Sequence, residues 1–393
     1  MRRATPALKT MTAILFTTIL ALSALYVPQP LLPVLTAEFG VTRETAALLT
    51  TIAFIPLCLA PLFYGALLET VSARRMLRLA VLLLALTEVL MFVVEPFAGL
   101  MALRLIQGLL IPAMLTSLMT YVSQVTEKSN MARAMAWYIA ATILGGFAGR
   151  AFSGLIASLL HWRFSFLFLG FGLFIAWFWL GRIAEAGAVK ISRPNLKAAG
   201  IVLADPLVRT AYAMVFCFFL VFAAVMNFLP FRLTELSTQT DEFRIGLAYS
   251  GYLMGIIVSL NAVRIHQRFG GAERVMVGSL VLFILAMLVM IMPQVAALVA
   301  GMFLICGASF LTHATATGYL NQYVSQNKGA VNGLYVAFYY GGGAVGSYLP
   351  GYAYRGFGWG GFMTVLIVVL VIALLLAVRL ARMAALLRAD LEV

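Results

Sequence analysis

Four ionisable side chains fall inside long apolar runs of this sequence: Glu88, Arg104, Arg150 and His313. An ionisable group in the middle of a membrane span costs about 2.5–3.5 kcal/mol on insertion scales, so each of the four needs a partner or a use. Glu88 and Arg104 are equidistant from Pro96 (96 − 88 = 104 − 96), and an antiparallel hairpin turning there sets them at similar depth. Two arrangements are open. In one they form a buried ion pair, which protonation of Glu88 would break, releasing Arg104. In the other Glu88 faces water at the loop and Arg104 is satisfied by backbone carbonyls or by Gln107. Arg150 has Gly146 and Gly154 at i−4 and i+4 on its helical face, which leaves room around a guanidinium. That room suits bidentate capture of a substrate carboxylate or phosphate. Internal pairing, with carbonyls or with Glu88, is the alternative.

His313 belongs to a polar row, Ser309, His313, Thr317 and Asn321, spaced i, i+4, i+8 and i+12. Imidazole is the side chain that ordinarily titrates near neutrality, which fits proton or substrate handling; simple hydrogen bonding is the plainer alternative. Tyr26 and Gln29 in the first apolar run, Asn227 in the seventh, and Tyr335 and Tyr339 in the eleventh are further polar candidates. Aromatic residues at helical spacing also serve packing, but their number suits an amphiphilic ligand.

These residues must be positioned by membrane helices. Hydrophobic residues make up 63% of the 393 and charged residues 10%, against about 25% charged in a soluble domain, and mean hydropathy is +1.01. Apolar windows of roughly 20 residues fall at 11–33, 45–68, 75–94, 97–121, 132–160, 164–183, 210–230, 246–263, 274–292, 295–323, 329–354 and 360–381. The expectation is an all-α membrane protein of twelve spans: a six-helix bundle at 1–183, a cytoplasmic loop at 184–208 and a second bundle at 209–393. The first run is too long for a signal-peptide core and is taken as a retained span. Of 27 Lys and Arg, five lie in loops on one side (Arg43, Arg163, Arg232, Arg244 and Arg355) and two lie in spans, leaving 27 − 5 − 2 = 20 on the side that holds both termini. Both termini are therefore expected in the cytoplasm of a bacterial inner membrane. The net charge of +13 sits in these short loops, which removes nucleic acid as a partner. Cys58, Cys217 and Cys306 all lie in apolar runs and form no disulfide framework.

The two halves repeat. Gly145, Gly149, Gly154 and Trp162 recur as Gly342, Gly346, Gly351 and Trp359 at one common offset (342 − 145 = 346 − 149 = 351 − 154 = 359 − 162 = 197), half of the chain. Pro33 and Pro230 share that offset and are expected to close the first span of each half. Small residues every four positions, Gly145/Gly149/Ser153 and Gly342/Gly346/Pro350, give each segment a bare stripe that lets two helices approach closely in lipid. Arg150 stands outside the repeat, opposite Ser347.

The loop after the second span carries Gly65, Leu67, Glu69, Ser72, Arg74 and Arg75, similar to the signature GxLaDrxGrr of the major facilitator superfamily, with Glu69 for its Asp and Ser72 for its second Gly. Leu100, Arg104, Gln107 and Gly108 resemble the lxxxRxxQG motif of its proton-coupled efflux branch, the drug or arabinose-efflux-like permeases. Gly145, Gly149 and Gly154 are similar to the antiporter motif gxxxGPxxGG, with Arg150 in place of its Pro and Ser153 in place of a Gly. The resemblance implies two six-helix bundles around a central cavity lined mainly by spans one, four, seven and ten, alternating access by rocking of the halves, and pairing of Glu69 with Arg74 or Arg75.

No acid lies in spans one or seven, and the spans hold two arginines against one glutamate. That field disfavours a cationic drug and favours a small anionic or amphiphilic compound. Proton-coupled export is the expected function, with a broad drug:proton antiporter or an uptake symporter as alternatives. An enzyme is excluded: His161, His266 and His313 are scattered, and no HExxH, Walker or Rossmann pattern occurs. A channel is disfavoured by the two-fold repeat with Gly-rich and Pro-rich spans. Expected partners are a small-molecule substrate, protons and the lipid bilayer, with no metal and no cofactor; a monomer is the expected working unit.

Overall fold

The protein is described by a computed structural model covering residues 8–59, 64, 71–184 and 196–391. It is all-helical: α1 Leu8–Tyr26, a 3-10 turn Gln29–Leu31, α2 Leu32–Phe39, α3 Arg43–Leu59, α4 Ala73–Val93, α5 Phe97–Val125, α6 Met131–Leu159 and α7 Arg163–Leu180, then α8 Leu196–Ala204, α9 Pro206–Leu236, α10 Glu242–Ala248, α11 Tyr252–Phe269, α12 Ala272–Met290, α13 Val295–Tyr323, α14 Lys328–Gly346 and α15 Pro350–Leu391. Ten helices among the described residues are long and apolar enough to cross a membrane, with α1 and α2 counted as one and α10 and α11 as one. Two more complete the twelve-span order. These are α3, described through Leu59, and α14, whose six glycines and three tyrosines hold its hydropathy down. α15 is broken at Gly358, where φ 63° and ψ −168° leave the helical region, a left-handed φ that glycine adopts without strain.

The chain divides into two compact units, Met1–Arg193 with Gln239–Tyr249, and Pro194–Thr238 with Ser250–Val393. The short helix α10 thus packs in the first unit, against α6, although it lies in the second half of the sequence. Each unit uses the same internal packing. α6 lies on α1 as α14 lies on α9, and the α4–α5 hairpin corresponds to the α12–α13 hairpin.

The repeated glycines are the reason for the first of these contacts. A Cβ at Gly145 would lie 2.6 Å from the Ile19 carbonyl oxygen, and one at Gly149 would strike Ser23. In the second unit Gly342 abuts the Phe216 backbone and Gly346 the Leu220 backbone. The partners keep the offset of the glycines themselves (216 − 19 = 220 − 23 = 197), so the duplication preserves contacts as well as residues.

The first span differs from its counterpart. Pro28 has no N–H to give to the Ala24 carbonyl one turn earlier, and Pro30 denies one to Tyr26, so α1 ends at Tyr26 and the chain turns before α2. In hydrocarbon such carbonyls must find other donors. Arg104 of α5 supplies the one for Ala24: its Nη1 donates to Ala24 O at 2.8 Å, while its Nη2 donates to the neighbouring Leu25 O at 2.7 Å and its Nε to Leu49 O, inside α3, at 2.8 Å. Pro33 falls in the first turn of α2, and Pro230 lies inside the unbroken α9. Neither closes its span as the sequence suggested, because a proline at N1 or N2 is compatible with a helix start and packing on both sides carries α9 across the lost hydrogen bond.

Arg104→Ala removes the donor to the two carbonyls at the break, Ala24 and Leu25, at about 1–3 kcal/mol each and is expected to lower the thermal unfolding midpoint of the solubilised protein more than any single exposed Arg→Ala change. A midpoint equal to wild type would contradict the assignment of Arg104 as the cap of the broken span. Gly346→Leu forces α14 off α9 at about 1–3 kcal/mol, whereas Gly278→Ala, where an added Cβ meets nothing within 4 Å, is expected to leave the midpoint unchanged or slightly raised; the same thermal scans check both.

Candidate functional site

Arg104 extends past the carbonyls it caps. Its Nη1 also donates to Gln107 Oε1 at 2.7 Å, and Gln107 Nε2 donates to Glu88 Oε1 at 3.0 Å. All three side chains have zero exposure. The direct Glu88–Arg104 ion pair is not formed. Three carbonyls aim the guanidinium at α1 and α3, and Gln107, one turn along α5 on the same face, fills the gap to α4. Glu88 does not face water either; its Oε2 is buried and makes no hydrogen bond among the described residues. A primary amide suits the middle position because it donates and accepts at once. The result is an acid–amide–guanidinium chain that ends on the backbone of the broken span.

Arg150 meets the same break from α6. Its Nε donates to Gln29 Oε1 at 2.7 Å and its Nη1 to the Gly146 carbonyl at 2.5 Å. Its Cζ lies 4.1 Å from the centroid of the Tyr26 ring and 4.8 Å from that of Tyr249, within cation–π range. Arg150 and Tyr249 have zero exposure. Arg150 does not pair with Glu88, whose hydrogen bond among the described residues is with Gln107. Neighbouring hydroxyls tie α1 to α6: Ser23 Oγ donates to Gly145 O at 3.1 Å and Ser153 Oγ to Val27 O at 3.0 Å. Glycine stripes set the second ring in place. Gly154 abuts the Glu242 carbonyl, and a Cβ at Gly246 would lie 2.7 Å from Arg150 O, so α6 and α10 touch backbone to backbone and bring Tyr249 over the guanidinium. Asp241 starts α10 by accepting from Arg244 N at 2.8 Å.

In the second unit His313 Nδ1 is 2.8 Å from Tyr335 Oη, which also lies 3.3 Å from the His313 carbonyl oxygen. The Tyr339 ring is 4.7 Å from the imidazole and stacks on Phe219 at 3.5 Å. The polar row on α13 is bonded along itself, Thr317 Oγ1 to His313 O at 2.8 Å and Asn321 Nδ2 to Thr317 O at 3.0 Å, and closes on α14 through reciprocal Asn321–Asn332 bonds of 2.8 and 3.1 Å. Asn227 stands apart from this cluster. It donates Nδ2 to Ser347 O at 2.9 Å, where α14 ends and Pro350 supplies no N–H. Gln29, in the 3-10 turn after α1, and Asn227, on α9, therefore both reach the repeat-equivalent positions 150 and 347.

Arg74 caps the end of α7, donating Nε to Leu180 O at 3.2 Å and Nη2 to Gly181 O at 2.5 Å. Ser72 caps the start of α4 by accepting from Arg75 N at 3.3 Å. Gly65 and Glu69 lie outside the described residues, so their expected pairing with these arginines does too. Gly351 closes a turn at the start of α15 by donating to Tyr348 O at 3.0 Å.

Two groups escaped the sequence reading. Tyr249 gave no signal, since only tertiary packing brings it to Arg150. Glu38 and Glu235 did give one, sharing the 197 offset. Glu38 accepts from Trp162 Nε1 and lies 3.7 Å from Arg163; Glu235 accepts from Tyr354 Oη at 2.8 Å and pairs with Arg232 at 3.2 Å. Among the described residues no group of three or more His, Cys, Asp or Glu could hold a metal ion.

A family model described as Major Facilitator Superfamily matches residues 14–263 and 213–388. The chain is 28% identical over 377 residues to "Inner membrane transport protein YnfM" of Escherichia coli (strain K12), covering 94% of this chain and 90% of that one. It is 24% identical over 348 residues to "Uncharacterized MFS-type transporter YybF" of Bacillus subtilis (strain 168), covering 87% and 86%. Among solved structures, a bacterial homologue of the human lysosomal transporter Spinster, in its inward-facing and occupied conformation, matches with a TM-score of 0.78 at 13% identity, covering 95% and 96%. With its twelve-span architecture and a family match over nearly its whole length, the chain belongs to the Major Facilitator Superfamily, a family of membrane transporters.

Proposed function

We propose that the protein is a proton-coupled secondary transporter of the drug:proton antiporter or arabinose-efflux-like branch, exporting a small anionic or amphiphilic organic compound by alternating access. The observation that carries the proposal is the buried chain Glu88–Gln107–Arg104. Protonation of Glu88 changes what Oε1 offers the Gln107 amide. Gln107 is also an acceptor for Arg104, so the proton state of the acid is felt by the guanidinium that caps the first span. Proton binding is thereby linked to the geometry of the helix break, a means of coupling a proton to a conformational step.

The substrate class is supported by the buried charge. Arg104 and Arg150 both have zero exposure, and the buried carboxylates among the described residues of the first unit are Glu88, at zero exposure, and Glu44, at 3%; Arg150 sits among Tyr26, Gln29 and Tyr249, groups that suit an organic anion with an apolar body. A second reading, a broad drug:proton antiporter, is favoured by the stacked Phe219, Tyr339 and Tyr335 beside His313. Uptake by symport reverses the direction with the same parts. We assign 1–183 and 209–393 as the working halves joined by a cytoplasmic link at 184–208. Both termini are placed in the cytoplasm of a bacterial inner membrane on the basis of the Lys and Arg distribution, and the monomer is taken as the working unit.

In proteoliposomes with an internal pH dye, screened with organic anions, zwitterions and lipophilic cations, proton flux is expected with an anion. Arg150→Ala is expected to lower that flux about 10- to 100-fold, the worth of a charge-assisted contact of about 1.5–3 kcal/mol, in a protein that remains folded. Flux with lipophilic cations alone, unaffected by Arg150→Ala, would contradict the anion assignment. Gln107→Leu is expected to keep substrate exchange between the two sides while abolishing its acceleration by an imposed proton gradient. Wild-type acceleration in that variant would contradict the coupling route.

A further inference from the structure

A groove of about 470 Å³ runs between α12 and α15 in the second unit, lined by Arg274, Val277, Gly278, Val378, Ala381 and Arg382 among others. Its size is that of a small-molecule site, but its lining sorts in an unusual way. The two arginines belong to the first turn of α12 and to the late part of α15, so both lie toward the end of the unit where the apolar runs stop. Val277, Val378 and Ala381 are half-buried below them. The floor is open because residue 278 has no side chain; a Cβ there would meet no atom within 4 Å.

Arg274 and Arg382 are exposed, and neither makes a hydrogen bond or ion pair among the described residues. The adjacent acid is already committed, since Glu273 pairs with Arg388 further along α15. Two guanidiniums without a partner among the described residues therefore stand over an apolar trough on an exposed face of the unit. Guanidinium groups bind phosphate oxygens bidentately, and basic pockets between membrane helices near the headgroup level select anionic lipid headgroups.

We propose that this groove is a binding site for an anionic glycerophospholipid, its phosphate held by Arg274 and Arg382 and one acyl chain laid along Val277, Gly278 and Val378. Charge complementarity chooses the occupant. A zwitterionic lipid brings a choline cation to the same two arginines, and free phosphate makes no use of the trough.

The test is native mass spectrometry of the purified, delipidated full chain in detergent, titrated with phosphatidylglycerol and, separately, with phosphatidylcholine. Wild type is expected to retain phosphatidylglycerol preferentially, and the double variant Arg274→Gln, Arg382→Gln to bind it about thirtyfold more weakly, two charges at the worth of a basic residue near a membrane surface. Gly278→Leu, which fills the trough and leaves both arginines in place, is expected to weaken binding by at least about tenfold. Equal retention of the two lipids, undiminished phosphatidylglycerol binding in either variant, or displacement by millimolar inorganic phosphate would overturn the proposal. So would an equal loss in the control Arg43→Gln, Arg355→Gln, which removes the same charge elsewhere.

Discussion

The first span is broken by Pro28 and Pro30, and the break has to be closed inside a membrane. Helix breaks survive in hydrocarbon only where neighbouring groups take up the freed carbonyls. Arg104 does this here by bonding the Ala24 and Leu25 carbonyls, and Arg150 buttresses the break from a second helix by lying over the Tyr26 ring and donating to the Gln29 side chain. Much of the first unit's polar interior follows from that need. The guanidiniums fix the approach of α5 and α6 to α1, the glycines at 145 and 149 make the approach close enough, and Gln107 links the arrangement to a buried acid.

The second unit repeats the scaffold without the charges. Ser347 stands at the position of Arg150, and α9 runs unbroken through 224–228, the counterpart of the first unit's turn at 27–31 (27 + 197 = 224, 31 + 197 = 228). The polar cluster within the second unit's spans is built instead from His313, Tyr335 and Tyr339, with Asn227 holding the end of α14; its ion pairs among the described residues, Arg232–Glu235 and Arg388–Glu273, lie toward the ends of α9, α12 and α15. A duplicated fold whose two copies share packing glycines and differ at the ionisable positions has divided its labour. The shared residues carry architecture and the unshared ones are free for chemistry, which is why the proposed coupling route and the proposed anion contact both fall in the first unit.

Much of this was legible in the sequence. The 197 offset located the close-packed stripes because helix contact in lipid demands small residues at fixed intervals, and the contacts observed at Ile19 and Phe216, and at Ser23 and Leu220, keep that interval. The hairpin about Pro96 brought Glu88 and Arg104 to neighbouring depth. Between the two arrangements that the spacing leaves open it could not choose: it does not reveal that backbone carbonyls on two other helices hold the guanidinium and that Gln107 stands between it and the carboxylate. Tyr249 was invisible for a similar reason, since α10 joins the first unit by tertiary packing alone. The prolines at 33 and 230 misled because proline ends a helix only when packing does not carry the helix across it. Glu38 and Glu235, in contrast, were readable from the same offset and were passed over because they sit at the edge of the apolar runs.

In the proposed coupling route Glu88 carries the proton and Arg104 feels it through Gln107. Infrared difference spectroscopy on reconstituted protein, recorded as external pH is stepped, tests it most directly. The account requires a carboxylic acid carbonyl band in wild type that vanishes in Glu88→Gln and shifts in frequency in Gln107→Leu, because the amide is its hydrogen-bond partner. Identical difference spectra for wild type and Glu88→Gln would contradict it.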